Sequence, residues 1–427
     1  MSSTITEKIL LAHTNKKDIA PGEFINARVD LALGNDITSP LAIAKFKASR
    51  AAAVFNRAKA ALVCDHFVPS KDVQSANQNK LVEDFARDYK IKHFYRLGLG
   101  GIEHVLLPEK GLILPGQLVI GADSHTCTYG ALGAFASGIG STDLAAAWIT
   151  GEVWLRVPES IKFVYHGTAG NWVGGKDLIL RTIADIGVSG ALYKAMEFTG
   201  PAITRLSMDG RFTMCNMAIE AGAKSGIVSP DQKTHAYLRQ VAGASLTKAN
   251  MRKFRGLSSD PGARYSAIWE YDVSKLEPQV ACPHLPSNVQ PVGRLKKINI
   301  DQAVIGSCTN GRISDLMSAA SILRKRKANS QVRLIVFPGT QQIFRLALKL
   351  RLIDVFVKAG AIVCPPTCGP CLGGHMGILG EGEVAIATTN RNFRGRMGAL
   401  SSKVYLSNPA VAAASAIKGR IAHPEEI

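Results

Sequence analysis

The sequence predicts an α/β protein of about three domains built on mostly parallel sheets. Its 427 residues give room for about three domains of roughly 150 residues each, with cores large enough to need no disulfide staples. Its apolar runs are short and uninterrupted, as strands buried on both faces are, and helix-length stretches separate them. Several runs lead directly into polar, chemically capable side chains, which is where parallel α/β sheets place their ligands.

Five such runs follow one another along the chain. Ala60 to Val63 leads into Cys64-Asp65-His66, and Leu118 to Ile120 into Gly121-Ala-Asp123-Ser124-His125. Ala303 to Ile305 leads into Gly306-Ser307-Cys308, Ala361 to Val363 into Cys364-Pro-Pro-Thr-Cys368-Gly-Pro-Cys371, and Val384 to Ala387 into Thr388-Thr389-Asn390-Arg391. Five strand ends delivering His, Asp, Cys and Arg point to one common cleft.

Helices are expected between them. Ser141-Thr-Asp-Leu144 offers an N-cap, and Ala147, Trp148 and later Trp154 continue an apolar spacing of three and four. Ser314 to Leu323 and Gln341 to Leu350 read as further helices, the latter after a strand Leu334 to Phe337 and the turn Pro338-Gly339. The uncharged stretch Ser124 to Thr142 reads as an active-site loop and a buried helix start. The Pro-bearing segment Ala281 to Asn288 has linker composition. The predicted domains are therefore 1–157, 158–283 and 284–427.

Composition narrows the class. A hydrophobic fraction of 46% with 20% charged residues is that of a soluble globular protein. The apolar run near the start, Ile9 to Ala12, is too short for a signal-peptide core, so a cytoplasmic protein without membrane segments is expected. In that reducing compartment the eight cysteines read as ligands or small hydrophobes rather than bridges. The net charge of +18 suits an anionic substrate, an acidic partner or nucleic acid. The densest run, Arg324-Lys-Arg-Lys327, follows a helix end, where cations complement the dipole, and no aromatic residues interleave with it as a single-strand platform requires.

One motif is a decoy. Gly170-Asn-Trp-Val-Gly-Gly175-Lys176-Asp177 follows a strand, Ile161 to Tyr165, and fits a phosphate-binding loop up to its last letter. There the magnesium-binding hydroxyl is replaced by a carboxylate that would repel phosphates, so a turn into a helix, with Asp177 near its N-terminus, is the reading.

Cys368-Gly-Pro-Cys371 has the letters of a thiol–disulfide redox pair, but it lies late in a long chain rather than after the first strand of a small domain. With the remote Cys308 it makes a three-thiolate set. Such a set suits zinc with an open position or an iron–sulfur cluster with one iron lacking a protein ligand. The glycines and prolines favour the bulkier cluster, which needs close backbone approach. Cys364, ahead of two prolines, reads as a strand-end hydrophobe and is left out of the set.

These motifs together with Met214-Cys-Asn216-Met-Ala-Ile-Glu220 and Asn390-Arg391-Asn-Phe-Arg-Gly-Arg396 resemble the aconitase superfamily over nearly the whole chain. Gly101-Ile-Glu-His104, Leu107-Pro-Glu-Lys-Gly111 and Val157-Pro-Glu-Ser-Ile161 are similar to the large subunits of its isopropylmalate dehydratase branch; homoaconitase and methylmalate-type large subunits share the main motifs. The resemblance implies three α/β/α domains around a central [4Fe–4S] cluster held by Cys308, Cys368 and Cys371, with one iron open to substrate and Asn216 and Asn390 close by. It implies a hydro-lyase in which Asp65, His66, His104, Asp123, His125 and Glu220 serve the proton chemistry. A His beside a carboxylate can have its pKa raised enough to donate a proton near neutrality. Arg391 and Arg396 would anchor a small hydroxy-dicarboxylate, as guanidinium forks suit, with Ser124 and the pair Asn35-Asp36 as further substrate contacts. The Asn at 35 departs from the family's usual His or Gln. A separate small subunit would supply the family's fourth domain, with its catalytic serine and another arginine. RNA binding by a cluster-free form stands as a distant alternative.

Overall fold

The computed structural model describes residues 2–243, 254 and 256–427. Each of the five apolar runs that lead into polar residues forms a strand, and the strands fall into three main sheets; Ile9 to Ala12 lies instead in a helix, Ile5–Ala12.

The first region contributes β1 (Phe24–Arg28), β2 (Leu31–Asn35), β3 (Ala60–Val63), β4 (His93–Tyr95), β5 (Leu118–Gly121), β6 (Phe135–Gly138) and β7 (Glu152–Arg156). Five of these form an all-parallel sheet in the order β4-β3-β2-β5-β6, while β1 and β7 pair antiparallel beside it. Strands β2, β3 and β5 are buried at every residue, so their composition is apolar rather than alternating, Asn35 at the cavity end of β2 excepted. The strand order reverses between β2 and β5, opening a crevice at their carboxyl ends.

The second sheet, β10-β9-β8-β11, is also parallel and uses β8 (Ser160–His166), β9 (Ala195–Thr199), β10 (Ser225–Ile227) and β11 (Ala267–Asp272). The third comprises β12 (Gln279–Ala281), β13 (Val289–Pro291), β14 (Gln302–Ile305), β15 (Arg333–Val336), β16 (Ile362–Val363), β17 (Val384–Ala387) and β18 (Lys403–Leu406), in the order β13-β12-β18-β17-β14-β15-β16. All neighbours in it are parallel except β12, which runs antiparallel to both β13 and β18. Its order reverses between β17 and β14, giving a second crevice.

Three expectations need correction. The boundary at 283/284 falls inside the third sheet: β12 and β13 flank it and pair with each other, so the passage from the second sheet lies upstream of Gln279. Linker composition there marks a hairpin connection. The helix after Ser141 begins one residue earlier in function, with Gly140 at the cap position and no side-chain cap, and it stops at Thr150 because Gly151 turns left-handed. Trp154 lies beyond it, on β7, and is exposed rather than core. The stretch 124–142 holds a buried 3₁₀ segment, Ser124–Leu132, and strand β6 as well as the helix start.

Gly175–Ile186 is a helix, as the decoy loop predicts, and Asp177 bonds the amide of Gly174 at its start. All eight cysteines are free.

Candidate active site

The two crevices face one cavity of about 340 Å³. Into it the first sheet sends residues that follow β2, β3 and β5, and the third sheet sends the cysteine loops and Asn390, Arg391 and Arg396. Two glycines allow the cysteine turns. A Cβ on Gly306 (φ 131°) would lie 2.1 Å from the Phe337 carbonyl, and one on Gly369 (φ 62°) would lie 2.7 Å from the Phe337 ring. Both loops therefore turn against the same phenylalanine, and any side chain there would push a cysteine out of place.

Cys308, Cys368 and Cys371 line one side and are buried. Among the described residues, the three-donor groups close enough for a single ion, with atoms within 4.8 Å of one another, are Asp36–Asp65–His66 and His66–Glu103–Asp123; the three sulfurs do not make such a group, although Cys368 and Cys371 are hydrogen-bonded to each other. Tetrahedral zinc, with Zn–S near 2.3 Å, would need its sulfurs about 3.8 Å apart. N–H groups are aimed at the sulfurs: Asn390 Nδ2 lies 3.3 Å and Asn216 Nδ2 3.4 Å from Cys308 Sγ, and Arg396 Nη2 lies 3.9 Å from Cys371 Sγ. Burial pushes the Cys308 thiol up to about 12, whereas the hydrogen bond from Cys368, with Arg396 and His125 nearby, holds Cys371 well below the usual thiol range. Three thiolates too far apart as a set for one ion, donors to sulfur and local positive charge fit an iron–sulfur centre.

Opposite the cysteines is a proton-active wall. His66 Nδ1 sits 2.6 Å from Asp65 Oδ1. Burial opposes a charge on His66, but the Asp65 carboxylate outweighs it and holds the imidazole well above its ordinary value. His104 Nε2 lies 2.8 Å from Asp123 Oδ1, with Tyr129 Oη 3.2 Å from its other nitrogen, and burial lowers its pKa. Asp123 is held well below its ordinary range by the two histidines it faces, against the effect of burial. Ser124 and His125 follow on the 3₁₀ turn, whose cap is the Asp123 side chain accepting from the His125 amide.

Two predicted residues, Glu220 and Asn216, lie behind the cavity lining. Glu220 does not line the cavity; its carboxylate lies 2.9 Å from His125 Nε2 and accepts from Arg391 Nε at 2.8 and 3.1 Å. Burial raises its pKa, but those cations keep it below the ordinary carboxylate value. Among the described residues the Arg391 Nη groups meet no protein acceptor, which leaves them for a ligand. Asn216 likewise sits behind Cys308, linking it to Thr128 and Asn390.

Asp36 departs from expectation. It does not line the cavity, and its carboxylate accepts the amides of Asp65, His66 and Phe67 at 3.0, 2.9 and 2.7 Å. It pins the loop that carries the Asp65–His66 pair. Asn35 does line the cavity, but its Oδ1 takes the Ile37 and Thr38 amides and its Nδ2 donates to Glu103 Oε1 at 3.0 Å.

Sequence reasoning missed three residues. Glu103, next to His104, is buried at the cavity with Oε2 lacking a partner, and burial with the Asp65 and Asp123 charges raises its pKa well above the ordinary range. Arg312 donates to the backbone carbonyls of Cys308 and His104, 3.1 and 3.0 Å away, and so ties the first and third sheets together. Lys176, the decoy's lysine, is 2% exposed and donates to the Thr388 and Thr389 carbonyls at 2.9 and 2.5 Å, just before Asn390. Only Glu103 had a usable signal, its adjacency to His104. Cys364 is a buried core residue away from the cavity.

Site and fold are those of one class: the chain belongs to the aconitase family, whose profile, described as the aconitase family (aconitate hydratase), matches residues 7–419. A solved structure of Thermococcus kodakaraensis aconitase X in its holo-form shares the fold, with a TM-score of 0.51 at 11% identity over 94% of this chain and 97% of that one. Within the family the chain is similar to proteins named 3-isopropylmalate dehydratase large subunit. These include those of Moorella thermoacetica (62% identical), Thermodesulfovibrio yellowstonii (60%) and Syntrophus aciditrophicus (60%), each over 427 residues and the full length of both chains. No described helix is long and apolar enough to cross a membrane.

Proposed function

We propose that this chain is the cluster-bearing large subunit of a hydro-lyase that isomerises 2-isopropylmalate to 3-isopropylmalate by removing water and adding it back. The observation that carries the reading is one cavity in which three cysteines face two arginines and two His–Asp pairs. The names of the full-length relatives support it. Two guanidiniums suit two carboxylates, and the apolar wall of Ile37, Ile102 and Leu372 suits an alkyl group better than the third carboxylate of a homoaconitase substrate.

Cys308, Cys368 and Cys371 would hold a [4Fe–4S] cluster. When bound, such a cluster with one iron free of protein ligand supplies the Lewis acid that eases hydroxide departure. The chain's own residues do the rest. Arg391, oriented by Glu220, and Arg396 bind the substrate carboxylates. His66, kept charged by Asp65, holds a proton at Nε2 for the departing hydroxyl. Asp123 fixes the His104 ring and caps the turn bearing His125, so neither wanders from the cavity. A separate small subunit completes the site, a reading supported by the words "large subunit" in the relatives' names.

The test is anaerobic iron and acid-labile sulfide content with EPR, on wild type and Cys368→Ser. About four irons per chain, lost in the variant, are expected; zinc, or no metal with a reversible Cys368–Cys371 disulfide, would overturn the reading. The isolated loaded chain is expected to turn over little 2-isopropylmalate until its small subunit is added.

A further inference from the structure

A second cavity, of about 390 Å³, adjoins the catalytic one, and Ser124 lines both. It lies between the first and second sheets, walled by Ile139, Val153, Trp154 and Ile219. Two cations enter it over one aromatic ring: the Arg156 guanidinium is 4.6 Å and the Lys224 ammonium 5.2 Å from the Tyr193 centroid. The Arg156 amide donates to the Tyr193 hydroxyl at 3.2 Å, and Lys224 Nζ donates to the Gly138 carbonyl at 3.3 Å, so the ring and the ammonium are held in place beneath the guanidinium.

Like charges gathered on one ring repel each other, and a nearby carboxylate normally compensates them. Here Asp143 is the acid in the lining and its charge is felt at Lys224, yet among the described residues no carboxylate forms an ion pair with either cation. The apolar walls add room for carbon as well as charge. We infer that this cavity is a binding site for a small organic carboxylate, beside and separate from the catalytic cavity. Two sources share that chemistry: substrate on its way to or from the catalytic cavity, or a second carboxylate acting as an effector.

Trp154 reports the site directly. The choice of a dicarboxylate probe rests on the function proposed above; the site does not. The probe is 2-isopropylsuccinate, which has no hydroxyl to lose, added to the cluster-loaded chain in complex with its small subunit. The expected result is a saturable emission change in wild type that is absent in Trp154→Phe. Lys224→Met and Arg156→Met should each weaken it about tenfold, as loss of one charge-assisted contact does, and Lys224→Arg should restore it. Arg391→Met should leave the Trp154 signal intact while abolishing turnover, which separates failure of this site from failure of the catalytic reading. A rise in KM for 2-isopropylmalate in Lys224→Met, with kcat unchanged, identifies substrate in transit; an unchanged KM identifies an effector site. No saturable Trp154 response in wild type, or unaltered affinity in both methionine variants, overturns the inference.

Discussion

Asp36→Ala separates two roles for a buried carboxylate. The Asp36 side chain is 1% exposed and takes three amide protons, from Asp65, His66 and Phe67. Removing it strands three N–H groups, each costing about 1–3 kcal/mol when unpaired and buried. The loop borders a cavity that can admit water, so the low end applies and the loss is about 3 kcal/mol. Asp36→Asn keeps the oxygen that serves Asp65 and His66 but turns an NH₂ toward the Phe67 amide, a loss of about 1 kcal/mol. Hydrogen exchange by mass spectrometry on a peptide spanning 65–67 reads this locally. A 3 kcal/mol opening penalty removed corresponds to roughly 100-fold faster exchange in the alanine variant, and several-fold in the asparagine variant. Urea unfolding of the cluster-free chain should show the same ranking, and kcat should fall with KM little changed, because the displaced groups are Asp65 and His66. Wild-type exchange at 65–67 combined with a raised KM would show that Asp36 contacts substrate and that the pinning argument is wrong.

Three other outcomes are expected. Glu220→Gln weakens the carboxylate that orients both His125 and Arg391, so kcat/KM should drop at least 100-fold with a higher KM; a wild-type KM would mean Arg391 needs no such brace. Asp65→Asn removes the charge that raises His66. In wild type that ion pair contributes fully below the ordinary His value near 6.5 and fades as pH rises through the raised one, so the variant's alkaline limb of the pH–rate profile should move toward about 6.5, and an unmoved limb assigns the proton elsewhere. Lys176→Met strands the Thr388 and Thr389 carbonyls behind Asn390, which should lower the stability of the cluster-free chain by about 2–4 kcal/mol in urea and quicken loss of iron from the loaded chain; retention of both at wild-type levels would make the lysine dispensable.

Much of the site was legible because its signal is local. An apolar run followed at once by Asp-His, Asp-Ser-His or Gly-Ser-Cys states both a strand and what its carboxyl end presents, and parallel sheets place those ends together. Where local pattern misled, a different physical term won. Trp154 keeps helical spacing from Ala147, seven residues earlier, but Gly151 turns left-handed and ends the helix before it. Prolines near 283 read as a linker, yet strand pairing across them makes a hairpin.

The sequence by itself determined the sheet-forming runs, the three cysteines, the arginine pair and the histidines, since each is announced by neighbours a few residues away. Tertiary structure alone decided what supports them. Lys176 meets carbonyls more than 200 positions along the chain, Arg312 joins Cys308 to His104 across 208, and Glu220 reaches Arg391 across 171. Glu103 sits beside His104 in sequence, but only burial between Asp65 and Asp123 gives it an unpaired oxygen and a raised pKa. Such contacts depend on how sheets pack, and packing is a property of the whole chain.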